Sequence, residues 1–189
     1  MRLFAERGVA AVTVRNVATA CGVSAPLVIH HYKSKEGLKQ AVDEHALAFV
    51  EQMFTLLEGV DAADLDLAAV SSPFAELLER EPDVLGYVRR MLVDGGPPAE
   101  ALFRRLYGIT RVALPAMEAA GLLRLGPDPD TQAAFLLVND LGAVILRDQI
   151  RSVLGVDPLT GPGIARWSQT VFDVYGRPVL RGKARKGRA

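Results

Sequence analysis

The sequence has few of the residues that form disulfides, metal sites or membrane spans. A single Cys cannot form an intramolecular disulfide, and one thiol with three His leaves too few ligands for a structural zinc site. No apolar run reaches the roughly 18 residues that a membrane span requires, and the N-terminus lacks the apolar core of a signal peptide. We therefore expect a cytoplasmic protein that needs neither metal nor cofactor and does not enter a membrane.

The chain also lacks net charge, since 22 basic residues balance 22 acidic ones. As a whole-chain average, this balance disfavours a polyanionic partner. The balance is nevertheless the sum of unlike regions, because residues 1–48 carry a net charge of +2, residues 49–176 carry −8 and residues 177–189 carry +6. We expect these regions to be a small N-terminal domain, a larger acidic domain and a basic tail, which is disordered or, as the alternative, makes a supplementary contact with a polyanion.

Apolar residues recur at helical spacing nearly everywhere, and the alternation typical of strands is absent. Proline and glycine divide the pattern into segments. The sequence therefore predicts an all-α fold with three short helices near 1–7, 14–20 and 25–31. Six longer helices are expected near 35–57, 63–80, 82–94, 98–120, 130–154 and 163–175.

The segment TVRNVATACGVSAPLVIHHY, residues 13–32, has the layout of a helix-turn-helix. Thr13 and Ser24 each precede a predicted helix and can cap it with a hydroxyl group. Ala18 is small enough for a second helix to cross closely, and Gly22 suits a turn that requires a positive φ. A helical corner without any role in DNA binding would favour the same small residue and the same glycine.

Other interpretations of this segment are weaker. His30 and His31 are adjacent on a helix and point about 100° apart, so they cannot chelate one ion together. Cys21 suits a redox sensor only if it is accessible. Its position in the motif, like that of Val23, is expected to face the core, where a thiol is inert.

The residues that flank this segment help to distinguish a DNA-binding helix-turn-helix from a helical corner without such a role. The segment from 3 to 38 resembles the DNA-binding domain of TetR-family transcriptional regulators, with the patterns LF-x-E-x-G, T-V-x-x-V-A-x-x-x-G-V-S and H-Y-K-S-K-E-x-L. The sequence departs from this family at Ile29, where many members carry a Tyr. It also starts inside the first helix, where members have additional, often basic, residues. Either Met1 is a shortened start, or the true start lies upstream.

The resemblance implies that residues 1–48 form a three-helix DNA-binding domain whose third helix enters the major groove. Arg15 suits a guanine edge, and Ala25 and Pro26 suit a thymine methyl group. The residues expected to contact bases are Arg15, Ala25, Pro26 and His30. Those expected to contact phosphates are Thr13, Ser24, His31, Tyr32 and Lys35. Lys35 is expected to be aided by the N-terminus of the next helix, while Tyr32 is equally suited to packing between helices.

The same resemblance implies that residues 49–176 form a six-helix domain for ligand binding and dimerisation. In the helix expected near 130–154, the stretch from 133 to 146 is apolar on almost all sides, so protein must cover it on several sides. A homodimer in which this helix and the last one form a four-helix interface meets that need. The expected interface residues are Leu137, Leu141, Val144, Trp167, Val171 and Val174. Two-fold symmetry then predicts a palindromic operator.

A small-molecule site is expected in the same domain. An apolar cavity with a few polar points is predicted from Tyr87, Met91, Phe103, Tyr107, Thr110, Met117 and Phe135, with a plain core as the alternative. Asn139 and Asp140 interrupt the apolar helix and, as buried polar groups, need partners. They suit a ligand contact, a cap for a neighbouring helix, or a meeting across the dimer.

These features together predict a homodimeric TetR-like regulator, namely a repressor that a small apolar or amphipathic ligand releases from its operator. A regulator that activates transcription, or that answers to a protein partner, is the alternative. An enzyme using His30, His45 or the acidic loop at Asp61, Asp64 and Asp66 lacks any paired nucleophile and base. We therefore expect no enzymatic activity.

Overall fold

The computed structural model describes residues 1–55 and 76–176, and all the regular secondary structure within these ranges is helical. The all-α prediction is therefore confirmed. Residues 76–80 are helical as well, and no described helix is long and apolar enough to cross a membrane. The helices are α1 (Arg2–Ala11), α2 (Val14–Cys21), α3 (Ala25–Tyr32), α4 (Lys35–Thr55), α5 (Pro82–Asp94), α6 (Pro97–Ala119), α7 (Pro129–Ile145), α8 (Arg147–Leu154) and α9 (Gly161–Gly176).

One predicted helix is wrong, because the segment 130–154 forms two helices rather than one. The first ends at Ile145, and Leu146 leaves helical geometry with φ −101° and ψ 20° before α8 begins. Neither a glycine nor a proline marks this break in the sequence. The predicted helix at 63–80 is described only from residue 76, and the acidic loop and the basic tail lie outside the described residues.

An ion pair closes the connection between α8 and α9. The guanidinium of Arg147 donates hydrogen bonds of 2.8 to 3.0 Å to the Asp157 carboxylate, which also accepts the backbone N–H of Leu159 at 3.0 Å. Burial acts to raise the pKa of Asp157, but these hydrogen bonds outweigh it and hold that pKa below its ordinary value. A Cβ atom at Gly163 would overlap the backbone of Asp157, so glycine at position 163 allows the two backbone segments to approach closely.

The described chain divides into two compact units. The first contains α1 to α5 and α6 as far as Arg105, and the second contains α6 from Leu106 onward together with α7 to α9. The domain boundary expected between residues 48 and 49 does not coincide with the boundary of these units, and it stays a prediction.

In the first unit, α5 packs against α1. The rings of Phe4 and Tyr87 lie 6.4 Å apart. Gly8 is buried with φ 75° and ψ 156°, which interrupts α1 where the sequence predicted its end. The guanidinium of Arg90 occupies the position that a side chain at Gly8 would need. The helix resumes after Gly8 and ends at Ala11, three residues before α2 begins.

A buried carboxylate joins α4 to α5. Asp43 is 8% exposed, and it accepts hydrogen bonds from the Tyr87 hydroxyl at 2.6 Å and from the Lys39 ammonium at 2.5 Å. Burial and this hydrogen bond raise the pKa of Tyr87, so its hydroxyl remains a donor. A second contact between α4 and the start of α5 pairs His45 Nε2 with Glu81 Oε2 at 2.5 Å.

The second unit has its own apolar core. Its buried centre is formed by Leu114, Leu123, Ala133 and Leu136, against which Tyr107, Met117, Leu125 and Val171 pack. An ion pair between Arg111 and Asp130 connects α6 to α7 at the edge of this core. The core is therefore built from α6, α7, α9 and the segment that joins α6 to α7.

A strained turn connects α3 to α4 in the first unit. The backbone N–H of Ser34 donates to the carbonyl of Tyr32 at 2.8 Å, so Lys33 is the centre of a γ-turn with φ 68° and ψ −41°. The Tyr32 carbonyl lies where a Cβ atom at Gly37 would be. Glycine at position 37 therefore permits this turn, which fixes how α3 meets α4.

We expect Gly37→Ala to lower the free energy of unfolding by about 1–3 kcal/mol, because the new methyl group would overlap the Tyr32 carbonyl. Gly108→Ala is the matched control, since Gly108 is an exposed residue of α6 with open space around it. That change should raise stability by up to about 1 kcal/mol through helix propensity. Urea unfolding measures both effects, and equal stability of the two variants would contradict the role given to Gly37.

We expect Asp157→Asn to cost about 1.5–3 kcal/mol at neutral pH, because Arg147 loses a charged acceptor. The lowered pKa of Asp157 stabilises the folded state above the ordinary value of 3.8, and this contribution is lost as the pH falls through the folded value. The difference between wild type and Asp157→Asn should therefore shrink on acidification. Combining the change with Arg147→Met should cost less than the sum of the two single effects; additive costs would show that the pair is uncoupled.

Candidate nucleic-acid interface

Local hydrogen bonds set the limits of α2 and α3. The Thr13 hydroxyl accepts the backbone N–H of Asn16 at 3.1 Å, and the Asn16 side chain accepts the backbone N–H of Thr13 at 2.9 Å. Gly22 ends α2 in the left-handed region with φ 68° and ψ 26°. The Ser24 hydroxyl then accepts the backbone N–H of Leu27 at 3.3 Å. These contacts confirm the two predicted caps and the glycine turn, and they add Asn16, whose spacing from Thr13 was the available signal.

The side chains of α2 and α3 divide into a buried and an exposed face. Ala18 and Val28 are the buried residues of these two helices, and Ala18 is the small residue at which a close helix contact was predicted. Cys21 and Val23 are both exposed, so the expectation that they face the core is wrong. Each of these eight-residue helices buries one side chain, and Cys21 and Val23, at the turn between the helices, remain exposed to solvent.

The predicted DNA contacts lie together in the first unit. Arg15 is on α2, while the candidates from 25 to 32 form the outer part of α3. Ala25 and Lys35 are half-buried, and the exposed candidates are Thr13, Arg15, Ser24, Pro26, His30, His31 and Tyr32. The rings of His31 and Tyr32 meet edge to face at 5.4 Å, on the surface rather than between helices.

Leu27 was missed as a candidate, although it is 52% exposed at the start of α3. Its signal was position, because it follows Ala25 and Pro26 in the first turn of the same helix. An exposed apolar side chain there suits contact with a thymine methyl group.

The electrostatics of this surface favour an anion. Residues 7–35 contain four basic residues and no acidic residue. The first turns of α2 and α3 likewise contain no acidic side chain, so nothing negative offsets the partial positive charge of their N-termini. The low net charge of residues 1–48 therefore comes from acidic residues outside the helix-turn-helix.

The two lysines beside Ser34 have different partners. Lys35 is half-buried, and its ammonium donates to the carbonyl of Ala10 at the end of α1 at 3.2 Å. Lys33 is exposed, and its ammonium donates to the carbonyl of His30 in the last turn of α3 at 2.8 Å. The sequence-based prediction named Lys35, because it lies at the N-terminus of the next helix, and left Lys33 out.

The predicted ligand residues are divided between the two units. Tyr87, Met91 and Phe103 belong to the first unit, where Tyr87 and Met91 are buried and the Tyr87 hydroxyl is bonded to Asp43. The remaining predicted residues belong to the second unit and differ in their surroundings. Tyr107 and Met117 pack on the core, Thr110 donates to the Leu106 carbonyl, and Phe135 is 60% exposed, so it does not face an interior cavity in the described chain.

Asn139 and Asp140 lie midway along α7. No described residue accepts a hydrogen bond from the buried Asn139 Nδ2. Asp140 is an exposed residue, so the expectation that it is buried is wrong, although the protein around its carboxyl group raises its pKa to about 6. Near neutral pH this carboxyl group is therefore able to change its charge.

A groove lies on each unit in the described part of the chain, and none of the nine predicted ligand residues lines these two grooves. The groove of the first unit lies between α1 and α5, has a volume of about 450 Å³ and is lined largely by charged side chains. The groove of the second unit has a volume of about 270 Å³ and is lined by the end of α8, the following loop and α9, including Trp167.

The predicted dimer residues range from buried to exposed. Leu137 is 3% exposed within a single chain, so it offers little surface to a partner. Val174 is exposed, whereas Leu141, Val144, Trp167 and Val171 are half-buried, and no described residue accepts from the buried Trp167 Nε1. Further exposed apolar side chains on or between α7 and α8 are Phe135, Val138, Leu146, Val153 and Leu154.

Comparisons with known proteins agree with this architecture. Residues 1–42 match the family model described as bacterial regulatory proteins of the tetR family, and residues 79–180 match the tetracyclin repressor-like C-terminal domain. The TetR family transcriptional regulator PfmR from Thermus thermophilus has the same fold, with a TM-score of 0.62 and 22% identity over 96% of this chain and 93% of PfmR.

Two curated relatives come from Mycobacterium tuberculosis. The HTH-type transcriptional regulatory protein RaaS is 31% identical over 135 residues, which are 71% of this chain but only 61% of RaaS. The HTH-type transcriptional repressor Rv3405c is 30% identical over 164 residues, which are 84% of this chain and 75% of that protein. With its helix-turn-helix and its helical C-terminal region both matched, the chain belongs to the TetR family of bacterial transcriptional regulators.

Proposed function

We propose that this protein is a homodimeric, sequence-specific repressor of transcription that acts in the cytoplasm and leaves its operator when a small ligand binds. The exposed, acid-free face of α2 and α3 carries the DNA-binding part of the proposal. A surface free of carboxylates that also presents two positive helix ends attracts the phosphates of a duplex.

In this proposal α3 enters the major groove and α2 crosses the backbone. Arg15 reads a guanine edge, and the apolar first turn of α3 contacts thymine methyl groups. The remaining predicted residues position the protein on the phosphates. The half-buried position of Ala25 leaves Pro26 and Leu27 as the outermost apolar groups of that turn.

Dimerisation is proposed from the surface of the second unit. Phe135, Val138 and Val174 are each more than half exposed, although large apolar side chains are stabilised by burial. The buried Asn139 Nδ2 and Trp167 Nε1, which have no acceptor among the described residues, lie on the same helices. A second copy packed on α7 and α9 would cover the apolar groups, and its two-fold symmetry would require a palindromic operator.

Ligand control is proposed at the polar pair on α7. The Asn139 Nδ2 has no acceptor among the described residues, and the raised pKa of Asp140 allows its carboxyl group to donate or accept near neutral pH. A small amphipathic molecule with one polar end satisfies both, while its apolar part would lie against Tyr107, Thr110 and Met117. Curated relatives named as repressors support the direction of control.

Control by a protein partner is the second candidate, and one observation favours it. Tyr107 and Met117 pack directly on the core of the second unit instead of lining either groove. A regulator whose helical core is filled has less room for a ligand and depends more on its outer surface.

We expect Arg15→Ala to weaken operator binding by about 1–3 kcal/mol and to relax the preference at one base pair of each half-site. The operator is first selected from a random DNA pool, and variants are then compared by fluorescence anisotropy on all four bases at each position. Arg124→Ala, an exposed change in the second unit, is the control and should leave the preference intact. An Arg15→Ala protein with unchanged sequence preference would remove base reading from Arg15.

We expect the wild-type protein to show twice the chain mass of 20.4 kDa in light scattering at micromolar concentration. Val138→Asp should shift it toward the single-chain mass, because a carboxylate would be buried in the interface. Val112→Asp is the matched control, since Val112 is 80% exposed and belongs to α6 rather than to α7 or α9. A wild-type protein of single-chain mass refutes the dimer.

A further inference from the structure

We propose that Lys33, at the C-terminal end of α3, is a DNA-phosphate contact of this protein and that Lys35 instead stabilises the fold. This assignment rests on the proposed DNA-binding function and exchanges the roles that the sequence alone suggests for the two lysines. It follows from the backbone, the hydrogen bonds and the exposure of residues 33–36.

The backbone of Lys33 is held in an unusual conformation. Among the described residues, Lys33 is the single non-glycine with a positive φ, and it forms the centre of the γ-turn between α3 and α4. Glycine adopts this region without strain, whereas lysine does not. A lysine at this position therefore carries a backbone strain that glycine would avoid, and its ammonium group remains exposed.

The Lys33 ammonium is placed for an anion. It is exposed, and one of its three hydrogens is donated to the His30 carbonyl, which leaves two donors. No carboxylate among the described residues pairs with it. Its neighbours are His30, His31 and Tyr32, the exposed residues at the end of α3 that are expected to face the duplex.

The Lys35 ammonium contacts another helix of the same unit. Its half-buried ammonium donates to the Ala10 carbonyl, 25 residues away in sequence, at the C-terminal end of α1. The last carbonyls of a helix lack partners within it and attract a cation. Moving Lys35 to a phosphate would break this link between α1 and α4.

The N-terminus of α4, which was expected to help Lys35 hold a phosphate, already has an anion. Glu36 lies in the first turn of α4. Its carboxylate accepts hydrogen bonds from its own backbone N–H and from Ser34, which lower its pKa and keep it charged. A phosphate approaching this end of α4 would meet that negative charge, whereas Lys33 precedes it on the side of α3.

The two lysines are separable by the salt dependence of DNA binding. The probe is a fluorescein-labelled DNA duplex of mixed sequence, and the dissociation constant is measured by anisotropy over a series of salt concentrations with the full chain. Each phosphate contact contributes about 0.9 to the slope of log Kd against log salt concentration. Thermal unfolding of each variant is measured in parallel.

We expect Lys33→Gln to reduce that slope by about 0.9 for each bound subunit without lowering the Tm, and Lys33→Arg to restore it. Lys33→Gly should lose the same slope while its Tm stays equal to or rises above the wild-type value, because the strain at φ 68° is removed. Lys35→Gln should lower the Tm and change the slope by less than Lys33→Gln does.

A slope unaffected by Lys33→Gln would overturn the assignment, as would a Lys35→Gln slope loss that equals or exceeds it. In both cases the wild-type protein still binds DNA, so the proposed function stands. A wild-type protein that shows no salt-dependent binding to any duplex overturns the proposed function itself, and the role of Lys33 with it.

Discussion

The buried Asp43 carboxylate is the contact on which the first unit most depends. A carboxylate that is 8% exposed is tolerated only when its oxygens are bonded, and here the donors come from Lys39 on its own helix and from Tyr87 on α5. Because α5 also packs on α1, the three helices are held in one arrangement. The helix-turn-helix is carried on this frame, so the direction of α3 depends on a hydrogen bond on another part of the chain.

The parts of the structure that follow from local chemistry were predictable from the sequence. The caps at Thr13 and Ser24 and the left-handed Gly22 require only neighbouring residues, and the structure has all of them. The break at Gly8 was visible for the same reason. The end of α7 at Ile145 was not predictable, because the apolar pattern continues through it and the Asp157 partner of Arg147 lies ten residues further on.

The candidate site shows the same division between local and distant causes. Sequence reasoning found the surface of α2 and α3, since the exposed face of a short helix follows from its period. It assigned Tyr87 to a ligand site and Leu137 to a dimer interface, because the sequence does not show that Tyr87 is bonded to Asp43 and that Leu137 is 3% exposed. Lys33 and Lys35 differ in backbone angle and in partner, neither of which can be seen in their spacing.

The break in α1 at Gly8 also constrains how this sequence can vary. The guanidinium of Arg90 fills the place of a side chain at position 8, and the positive φ there strains any residue but glycine. A substitution at position 8 would require a different backbone path for α1, while the end of the flexible Arg90 side chain would only have to move aside. Position 8, which lies in the first of the two family models matched along the chain, is therefore restricted to glycine by its backbone, whatever residue stands at position 90.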